Sequence, residues 1–159
     1  MMPDASCSFL LPDDAATDRL GQWLAVRLQP GDTLLLQGPI GAGKTHLARA
    51  LIRARLGAMT EVPSPSFTLV QTYEDPAGEI WHADLYRLGH PDEVIELGLE
   101  AAFATAICLV EWPDRLGGLA PTHAIHLHLT PEGEGRRVAI TAPGHPALIA
   151  ALRADWGRA

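Results

Sequence analysis

An eight-residue segment near residue 40 constrains this chain more than any other feature. It runs Gly38-Pro39-Ile40-Gly41-Ala42-Gly43-Lys44-Thr45 and fits the pattern G-x-x-x-x-G-K-[ST]. A buried strand is predicted before it, over Thr33 to Gln37, and an amphipathic helix after it, over Thr45 to Leu56. A strand, a glycine-rich loop and a helix in this order predict a P-loop (Walker A motif), which wraps the phosphates of a nucleoside triphosphate.

The residue types of this loop suit a polyphosphate. Glycines let the backbone curl so that N–H groups point inward at an anion, and the following helix adds the positive end of its dipole. Lys44 is predicted to bridge the β and γ phosphates, and the Thr45 hydroxyl to take one Mg²⁺ position. A glycine-rich turn without a ligand is the alternative, which the predicted strand and helix on either side disfavour.

A P-loop requires a second carboxylate at the end of a neighbouring buried strand, to hold Mg²⁺ and to orient water. Ala106 to Val110 is a continuous apolar run typical of such a strand, and Glu111 ends it. Asp84 is a rival, because it lies on one face of an alternating segment together with His82. The alternatives are a solvated strand end at Glu111 and a salt bridge between Asp84 and Arg87.

The rest of the pattern predicts an α/β protein of one domain spanning residues 1–159, with its core at about 11–142 and a C-terminal helix at 147–156. The other predicted elements are a strand at Ser6 to Leu11, a helix capped at Asp13 or Asp14, hairpins at Thr68 to Asp84 and His123 to Ala142, and short helices at Pro91 to Leu97 and Leu99 to Ala104. We therefore expect a P-loop NTPase-like three-layer fold with a mixed, largely parallel central sheet and β-hairpin insertions.

Composition excludes several other classes of protein. The formal net charge of -7 disfavours autonomous binding to nucleic acid. Cys7 and Cys108 are about a hundred residues apart with no CxxC pair, which suits a reducing cytoplasm. No apolar run reaches the ~20 residues that a membrane span needs, and no signal peptide is recognisable. We expect a soluble cytoplasmic protein with no membrane partner.

Four segments occur in a specific order and spacing: GPIGAGKT, SPSFTLV, HADLYRL and CLVEWPDRL. Together they resemble the TsaE (YjeE) family, over about Leu11 to Ala142. The resemblance implies a small Mg²⁺-dependent ATPase that binds ATP or ADP. It also implies a requirement for threonylcarbamoyladenosine formation beside the anticodon of tRNA, together with the TsaB and TsaD subunits. TsaC would make the threonylcarbamoyl adenylate, and tRNA would be contacted only indirectly.

The resemblance further implies which residues act. Gly41 to His46 form the phosphate cradle, Thr45 and Glu111 bind Mg²⁺, and Asp84 binds it through water or from a second layer. Lys44, Asp84 and Glu111 are the expected catalytic residues, since Lys44 stabilises the transferring phosphoryl group and the acids organise Mg²⁺ and water. The residues expected to bind the nucleotide are Asp14, Thr17, Gly38, Gly41, Ala42, Gly43, Lys44, Thr45, His46, Ser66, Trp112, Pro113, Asp114, Arg115, Gly135 and Arg136.

Some of these assignments depend on matching segments rather than motifs. The segment around Asp14 and Thr17 resembles the part that borders the base, and Gly135 with Arg136 resembles the late hairpin segment that reaches it. Trp112 to Arg115 would lie beside the nucleotide.

Two positions depart from the family pattern. Ser66 stands where the family usually has Thr, and it keeps the hydroxyl in a Pro-stiffened loop of the kind that switches with bound nucleotide. His46 stands where many members have Thr or an apolar residue, and it lies where it can reach the α-phosphate edge.

Two rival functions remain open from the sequence. In a small-molecule kinase, Asp84 would accept the proton of the substrate hydroxyl, although the charged residues between Gly89 and Ala106 are all acidic and supply no Arg-rich lid. In a nucleotide-gated binding module, the same loop would suffice without hydrolysis. No arginine finger is obvious in the chain, and Arg87 and Arg115 are the candidates, so an ATPase is expected to be slow alone.

Overall fold

A seven-stranded mixed sheet forms the centre of the protein in the computed structural model, which describes residues 6–156. The strands are β1 Ser6–Leu11, β2 Thr33–Gln37, β3 Val70–Asp75, β4 Gly78–Asp84, β5 Ile107–Glu111, β6 Ile125–Glu132 and β7 Gly135–Thr141, in the spatial order β1-β7-β6-β2-β5-β4-β3. The four central strands, β6, β2, β5 and β4, run parallel, and the remaining pairs are antiparallel. The predicted mixed sheet is confirmed, with its parallel part at the centre.

Helices cover both faces of this sheet, which confirms the predicted three layers. They are α1 Asp14–Ala25, α2 Lys44–Leu56, α3 Asp92–Glu96, α4 Leu99–Thr105 and α5 Pro146–Trp156, with a 3₁₀ segment at Pro113–Leu119. Successive side chains of a strand point to opposite faces of the sheet, so neighbouring residues of one strand pack into different cores. In β2, Leu34 and Leu36 join a core with α1, α2 and α5, whereas Leu35 joins a second core with α3 and α4.

Local sequence signals explain how α1 begins and how it packs. The Asp13 side chain accepts a hydrogen bond of 2.9 Å from the Ala16 N–H and caps the helix, as predicted. Halfway along, a Cβ atom on Gly21 would lie 2.7 Å from the Cβ of Ala50 in α2. Glycine at this position therefore allows the close approach of α1 to α2, the helix that follows the P-loop.

The first strand of the first hairpin begins two residues later than the sequence pattern predicts. Leu69 has a left-handed φ of 69°, so strand β3 begins at Val70 rather than at Thr68. The Leu69 N–H donates to the carbonyl of Pro65 at 2.7 Å, and its own carbonyl accepts from the Asp84 N–H at 2.9 Å. These bonds join the Ser-Pro-Ser loop to the end of β4.

The parallel register brings three functional segments to one edge of the sheet. Leu36 of β2 lies opposite Glu111 of β5, and Asp84 of β4 lies opposite Glu111 on the other side. Because β2, β4 and β5 point the same way, their carboxyl ends meet at the edge where ligands bind in open α/β sheets. The glycine-rich loop after β2 therefore lies beside both predicted carboxylates.

An ion pair between Arg55 of α2 and Asp75 of β3 gives the fold a testable pH dependence. Two hydrogen bonds of 2.8 and 3.1 Å join them, and the Asp75 side chain is 4% exposed. The bond from Arg55 is the main cause that holds the pKa of Asp75 below its ordinary 3.8, against the opposing effect of burial. A lowered pKa means that the stabilisation is present above the ordinary value and is lost as the pH falls through the lowered one.

We therefore expect Asp75→Asn to lower the free energy of unfolding by about 1–3 kcal/mol at neutral pH. The difference from wild type should shrink as the pH falls from about 4 through the lowered pKa of Asp75, because a protonated Asp75 is uncharged like the asparagine that replaces it. Urea unfolding followed by circular dichroism at several pH values measures this. Glu134→Gln, at an exposed position, is the control and should track wild type. A difference that stays constant down to acid pH would contradict the assignment.

Candidate functional site

The glycine-rich loop joins β2 to α2 as the sequence predicts, and its conformation requires glycine. Gly38, Gly41 and Gly43 have φ values of 154°, 81° and 103°, a region that other residues rarely adopt. A Cβ atom on Gly38 would also lie 2.3 Å from the carbonyl oxygen of Leu129. Helix α2 begins at Lys44 without a side-chain cap, so the N–H groups of its first turn are available to an anion.

Lys44 lies inside this loop rather than in solvent. Its side chain is 5% exposed, and the ammonium group donates to the carbonyls of Gly38 and Pro39, the latter at 3.0 Å. The same group lies 4.1 Å from the centroid of the Trp112 ring. Since an ammonium has three N–H donors, two of them position the cation and one remains for a ligand in the cleft.

Two buried carboxylates face this cation. Glu111 is 2% exposed and Asp84 is 6% exposed, so the alternative of a solvated strand end at Glu111 is wrong. Burial lowers the pKa of Lys44 from its ordinary 10.5, and attraction to Glu111 and then to Asp84 opposes that shift. The two acids thus favour the charged form of the lysine, which a phosphate-binding role needs.

Both carboxylate oxygens of Glu111 are held by side chains from other elements. The Thr45 hydroxyl of α2 donates to Oε1 at 2.8 Å, and Nε2 of His82 in β4 lies 2.7 Å from Oε2. The backbone carbonyl of Glu111 accepts from the Leu85 N–H at 3.1 Å. The structure therefore brings Thr45 and Glu111 together, as the sequence predicts, and adds His82, for which the sequence predicts no role.

Asp84 is held by a loop and not by an arginine. One oxygen accepts from the Ser66 hydroxyl at 3.3 Å and the other from the Tyr86 N–H at 3.0 Å. The alternative of a salt bridge to Arg87 is wrong, because the guanidinium of Arg87 instead lies 4.6 Å from the Phe67 ring centroid. The Ser-Pro-Ser loop is thereby attached to the carboxylate edge of the sheet.

The oxygen donors at this edge fit Mg²⁺. Thr45, Glu111 and Asp84 supply a hydroxyl and two carboxylates, the hard ligands that Mg²⁺ prefers, and the 2.8 Å bond already joins two of them. Within residues 6–156, no group of three or more His, Cys, Asp or Glu side chains is arranged to hold a metal by itself. Mg²⁺ held by such donors would complete its coordination shell with phosphate and water oxygens.

These groups line one cleft with a volume of about 470 Å³. Eleven of the predicted site residues line it: Gly41, Ala42, Gly43, Lys44, Thr45, His46, Ser66, Asp84, Glu111, Trp112 and Arg136. Ile40, Ser64, Tyr86 and Arg87 also line it but are absent from the predicted set. From the sequence, Arg87 is only a candidate arginine finger or a salt-bridge partner of Asp84, and the other three belong to segments that also carry a predicted residue.

Three predicted residues reach the cleft only through Arg136 or lie behind it. The Arg136 guanidinium donates to the Thr17 hydroxyl at 2.5 Å and to the Asp14 carboxylate at 3.1 Å, which fixes it beside Gly43. Gly135 packs so tightly that a Cβ atom would lie 2.2 Å from the carbonyl oxygen of Leu11. Asp14 and Thr17 therefore position Arg136, and Gly135 permits the turn that carries it.

The other predicted residues, Gly38, Pro113, Asp114 and Arg115, do not line the cleft. Gly38 is under Lys44, and Pro113 is buried at the start of the 3₁₀ segment. Arg115 forms an ion pair of 3.9 Å with Asp114 and extends over the Tyr86 ring at 5.9 Å from its centroid. His46 faces the cleft from α2, with Nε2 2.7 Å from the Asp18 carboxylate of α1.

Comparison with known proteins identifies the family to which this chain belongs. The family model described as "Threonylcarbamoyl adenosine biosynthesis protein TsaE" matches residues 11–139. The chain belongs to the TsaE family. The match covers nearly the same residues as the resemblance seen in the sequence, from the end of β1 through β7, and it includes every residue that lines the cleft.

Individual relatives support the same assignment. Proteins named as tRNA threonylcarbamoyladenosine biosynthesis protein TsaE include one from Rickettsia bellii, 39% identical over 120 residues (76% of this chain and 83% of that protein). One from Synechocystis sp. is 42% identical over 122 residues, covering 72% and 75%. A crystal structure of Bacillus subtilis YdiB has a TM-score of 0.73 at 22% identity, covering 92% of each chain. That likeness shows that the two chains share a fold.

Over residues 6–156, no helix combines the length and apolar character that crossing a bilayer would take.

Both cysteines are free thiols, with Cys108 buried and Cys7 partly exposed. Burial raises the pKa of Cys108 to about 12, so this thiol is not a nucleophile at neutral pH.

Proposed function

We propose that this chain is a Mg²⁺-dependent ATPase that acts on the TsaB–TsaD complex during threonylcarbamoyladenosine modification of tRNA. The observation that carries the proposal is the convergence of Lys44, Thr45 and Glu111, with the Thr45 hydroxyl bonded to Glu111 at 2.8 Å on the floor of the cleft. A lysine, a hydroxyl and a carboxylate in this relation are the parts with which P-loop proteins bind a triphosphate and its metal. TsaE-family membership supports the tRNA pathway.

Each residue has a physical role in this proposal. The loop N–H groups and the Lys44 ammonium bind the phosphate oxygens and stabilise the charge that develops on the transferred group. Thr45 and Glu111 supply metal ligands, and Asp84 orients water from the neighbouring strand. Bound Mg²⁺ supplies Lewis-acid polarisation of the phosphoryl oxygens.

Hydrolysis by the isolated protein should be slow. An arginine finger accelerates phosphoryl transfer by neutralising charge in the transition state. In the described residues, Arg136 is tied to Thr17 and Asp14, and Arg87 lies against Phe67, so each arginine that lines the cleft has another contact. We propose that the TsaB–TsaD complex supplies or orders the missing group. Because the net charge of -7 repels polyanionic tRNA, we propose that those subunits, rather than this chain, contact the tRNA. The two free thiols support action in the reducing cytoplasm.

Calorimetry and partner capture test the function directly. We expect the purified protein to bind ATP and ADP more tightly with Mg²⁺ than without it. It should release phosphate slowly alone and faster with TsaB–TsaD, and those subunits should capture it in an ATP-dependent manner. Absence of Mg²⁺-linked nucleotide binding would overturn the proposal.

Two further outcomes would identify the rival functions. Labelled ATP incubated with a panel of nucleosides yields a phosphorylated acceptor only if the chain is a kinase. Capture by TsaB–TsaD that depends on nucleotide, without any phosphate release, would identify a non-hydrolysing binding module.

A further inference from the structure

His82 is a histidine in the middle of the sheet that the proposed reaction does not use. Its side chain is 0% exposed, and it lies in β4 opposite Leu109 of β5. Alternation along β5 places Leu109 and Glu111 on the same face, toward α2. The imidazole therefore lies beside the carboxylate that ends β5, one step deeper in the sheet.

The hydrogen bonding of this imidazole is one-sided. Nε2 lies 2.7 Å from Oε2 of Glu111, and because an ionised carboxylate only accepts, the histidine donates. For the other ring nitrogen, Nδ1, residues 6–156 provide no hydrogen-bond partner. Burying an unpartnered nitrogen costs free energy, and an aliphatic residue of similar size would avoid that cost. Packing alone therefore does not account for histidine at this position.

The single bond that His82 makes determines how Glu111 can rotate. With Oε2 held by His82, the other oxygen, Oε1, is directed at the Thr45 hydroxyl, 2.8 Å away. A carboxylate with one fixed oxygen presents the other in one orientation, which lowers the entropy lost when a ligand binds. Hydrogen bonds from a second layer orient carboxylates at metal sites in this way.

We propose that His82 is a positioning residue for Glu111: its Nε2–H holds Oε2, so that Oε1 and the Thr45 hydroxyl face the metal and the phosphates together. This inference rests on the proposed Mg²⁺-dependent function. The prediction is specific to a donor at the position of Nε2, so a side chain that keeps this donor should keep the effect.

Three substitutions test this inference. His82→Leu removes the donor, His82→Gln keeps an N–H donor at similar reach, and His82→Asn keeps a donor that is too short to reach Glu111. We expect His82→Leu and His82→Asn to lower kcat by about 10- to 100-fold, and His82→Gln to recover most of the loss. We expect ADP affinity without Mg²⁺ to change by less than about twofold, and the gain in affinity on adding Mg²⁺ to fall about tenfold or more in the same two variants.

A buried residue of the same strand provides the matched control. Ile80 is also 0% exposed and joins the same core, so Ile80→Val should lower stability without changing the gain in ADP affinity that Mg²⁺ gives. Circular dichroism and urea unfolding establish that each variant is folded. If His82→Leu does not fold, the comparison of His82→Gln with His82→Asn decides, since both are polar and differ in reach.

A double-mutant cycle shows whether His82 acts through Glu111. Adding His82→Leu to Glu111→Gln should lower Mg²⁺-linked ADP affinity and kcat no further than Glu111→Gln alone, because the carboxylate to be positioned is already absent. Additive losses, or equal effects of His82→Gln and His82→Leu, would overturn the inference. If wild type hydrolyses no ATP, the proposed function fails separately. The ¹⁵N spectrum of His82, expected to show the proton on Nε2, and the Mg²⁺-linked ADP affinity then still decide the inference.

Discussion

Lys44→Ala is expected to abolish ATP-dependent tRNA modification in a reconstituted mixture with TsaB and TsaD. The ammonium is buried in the loop, held by the Gly38 and Pro39 carbonyls and adjacent to two carboxylates. The two arginines that line the cleft, Arg87 and Arg136, are held by other contacts, so neither is expected to replace its charge toward a phosphate. Removing one preorganised electrostatic contact of this kind commonly costs about 10²- to 10³-fold in rate. Modified nucleoside measured by mass spectrometry after nuclease digestion, together with calorimetric ATP affinity, gives the result.

Arg49→Ala is the matched control for this variant. Arg49 is on the same helix, but its guanidinium donates to the Val62 carbonyl at 2.9 Å, and the residue does not line the cleft. Like Lys44→Ala, the Arg49→Ala variant removes one positive charge from α2, but we expect it to leave modification within about threefold of wild type. Unimpaired modification by Lys44→Ala would refute the ATPase proposal.

Glu111→Gln is expected to stop hydrolysis while leaving nucleotide binding in the absence of Mg²⁺ largely intact. Glutamine has nearly the same shape, and its single amide oxygen can accept from His82 while its NH2 group donates to the Thr45 hydroxyl, so the fold and the loop should persist. It lacks the negative charge that we propose binds Mg²⁺ and activates water, and loss of such a group costs about 10²- to 10⁴-fold in rate. Phosphate release in a single turnover measures hydrolysis, and a parallel ATP titration without Mg²⁺ measures nucleotide binding.

Glu100→Gln provides the comparison for this second variant. Glu100 is exposed on α4, far in sequence from the loop, and its neutralisation changes the net charge by the same amount. Its phosphate release should equal that of wild type. If Glu111→Gln hydrolysed ATP at the rate of Glu100→Gln, Glu111 would not be the metal-binding carboxylate.

The parts of the site that the sequence predicts are those set by local pattern. The loop at Gly38 to Thr45 is identifiable because its glycines, lysine and hydroxyl have fixed spacing between a strand and a helix. Glu111 and Asp84 follow from a rule of topology, since acids at the carboxyl ends of neighbouring parallel strands meet at one edge. Both inferences need only the order of elements, which hydrophobic periodicity supplies.

The parts that the sequence leaves open depend on register and on contacts between distant segments. The bond of His82 to Glu111 exists because β4 and β5 pair with Asp84 opposite Glu111, and a shift by one residue would turn His82 to the other face. Arg136 meets Thr17 across 119 positions of the chain, because β7 pairs with β1 just before α1 begins. Nothing in the local sequence specifies either contact.

The lysine of the glycine-rich loop determines how the side chains of this protein react with amine reagents. Lys44 is the only lysine among the 159 residues, and every other permanently cationic side chain is an arginine. Acylation, carbamylation or reductive alkylation of a side-chain amine therefore has one target in this protein, an atom that the loop largely covers. Any such reaction would neutralise or obstruct the charge that we propose binds the phosphates, so the proposed nucleotide binding and side-chain amine reactivity would compete for the same nitrogen.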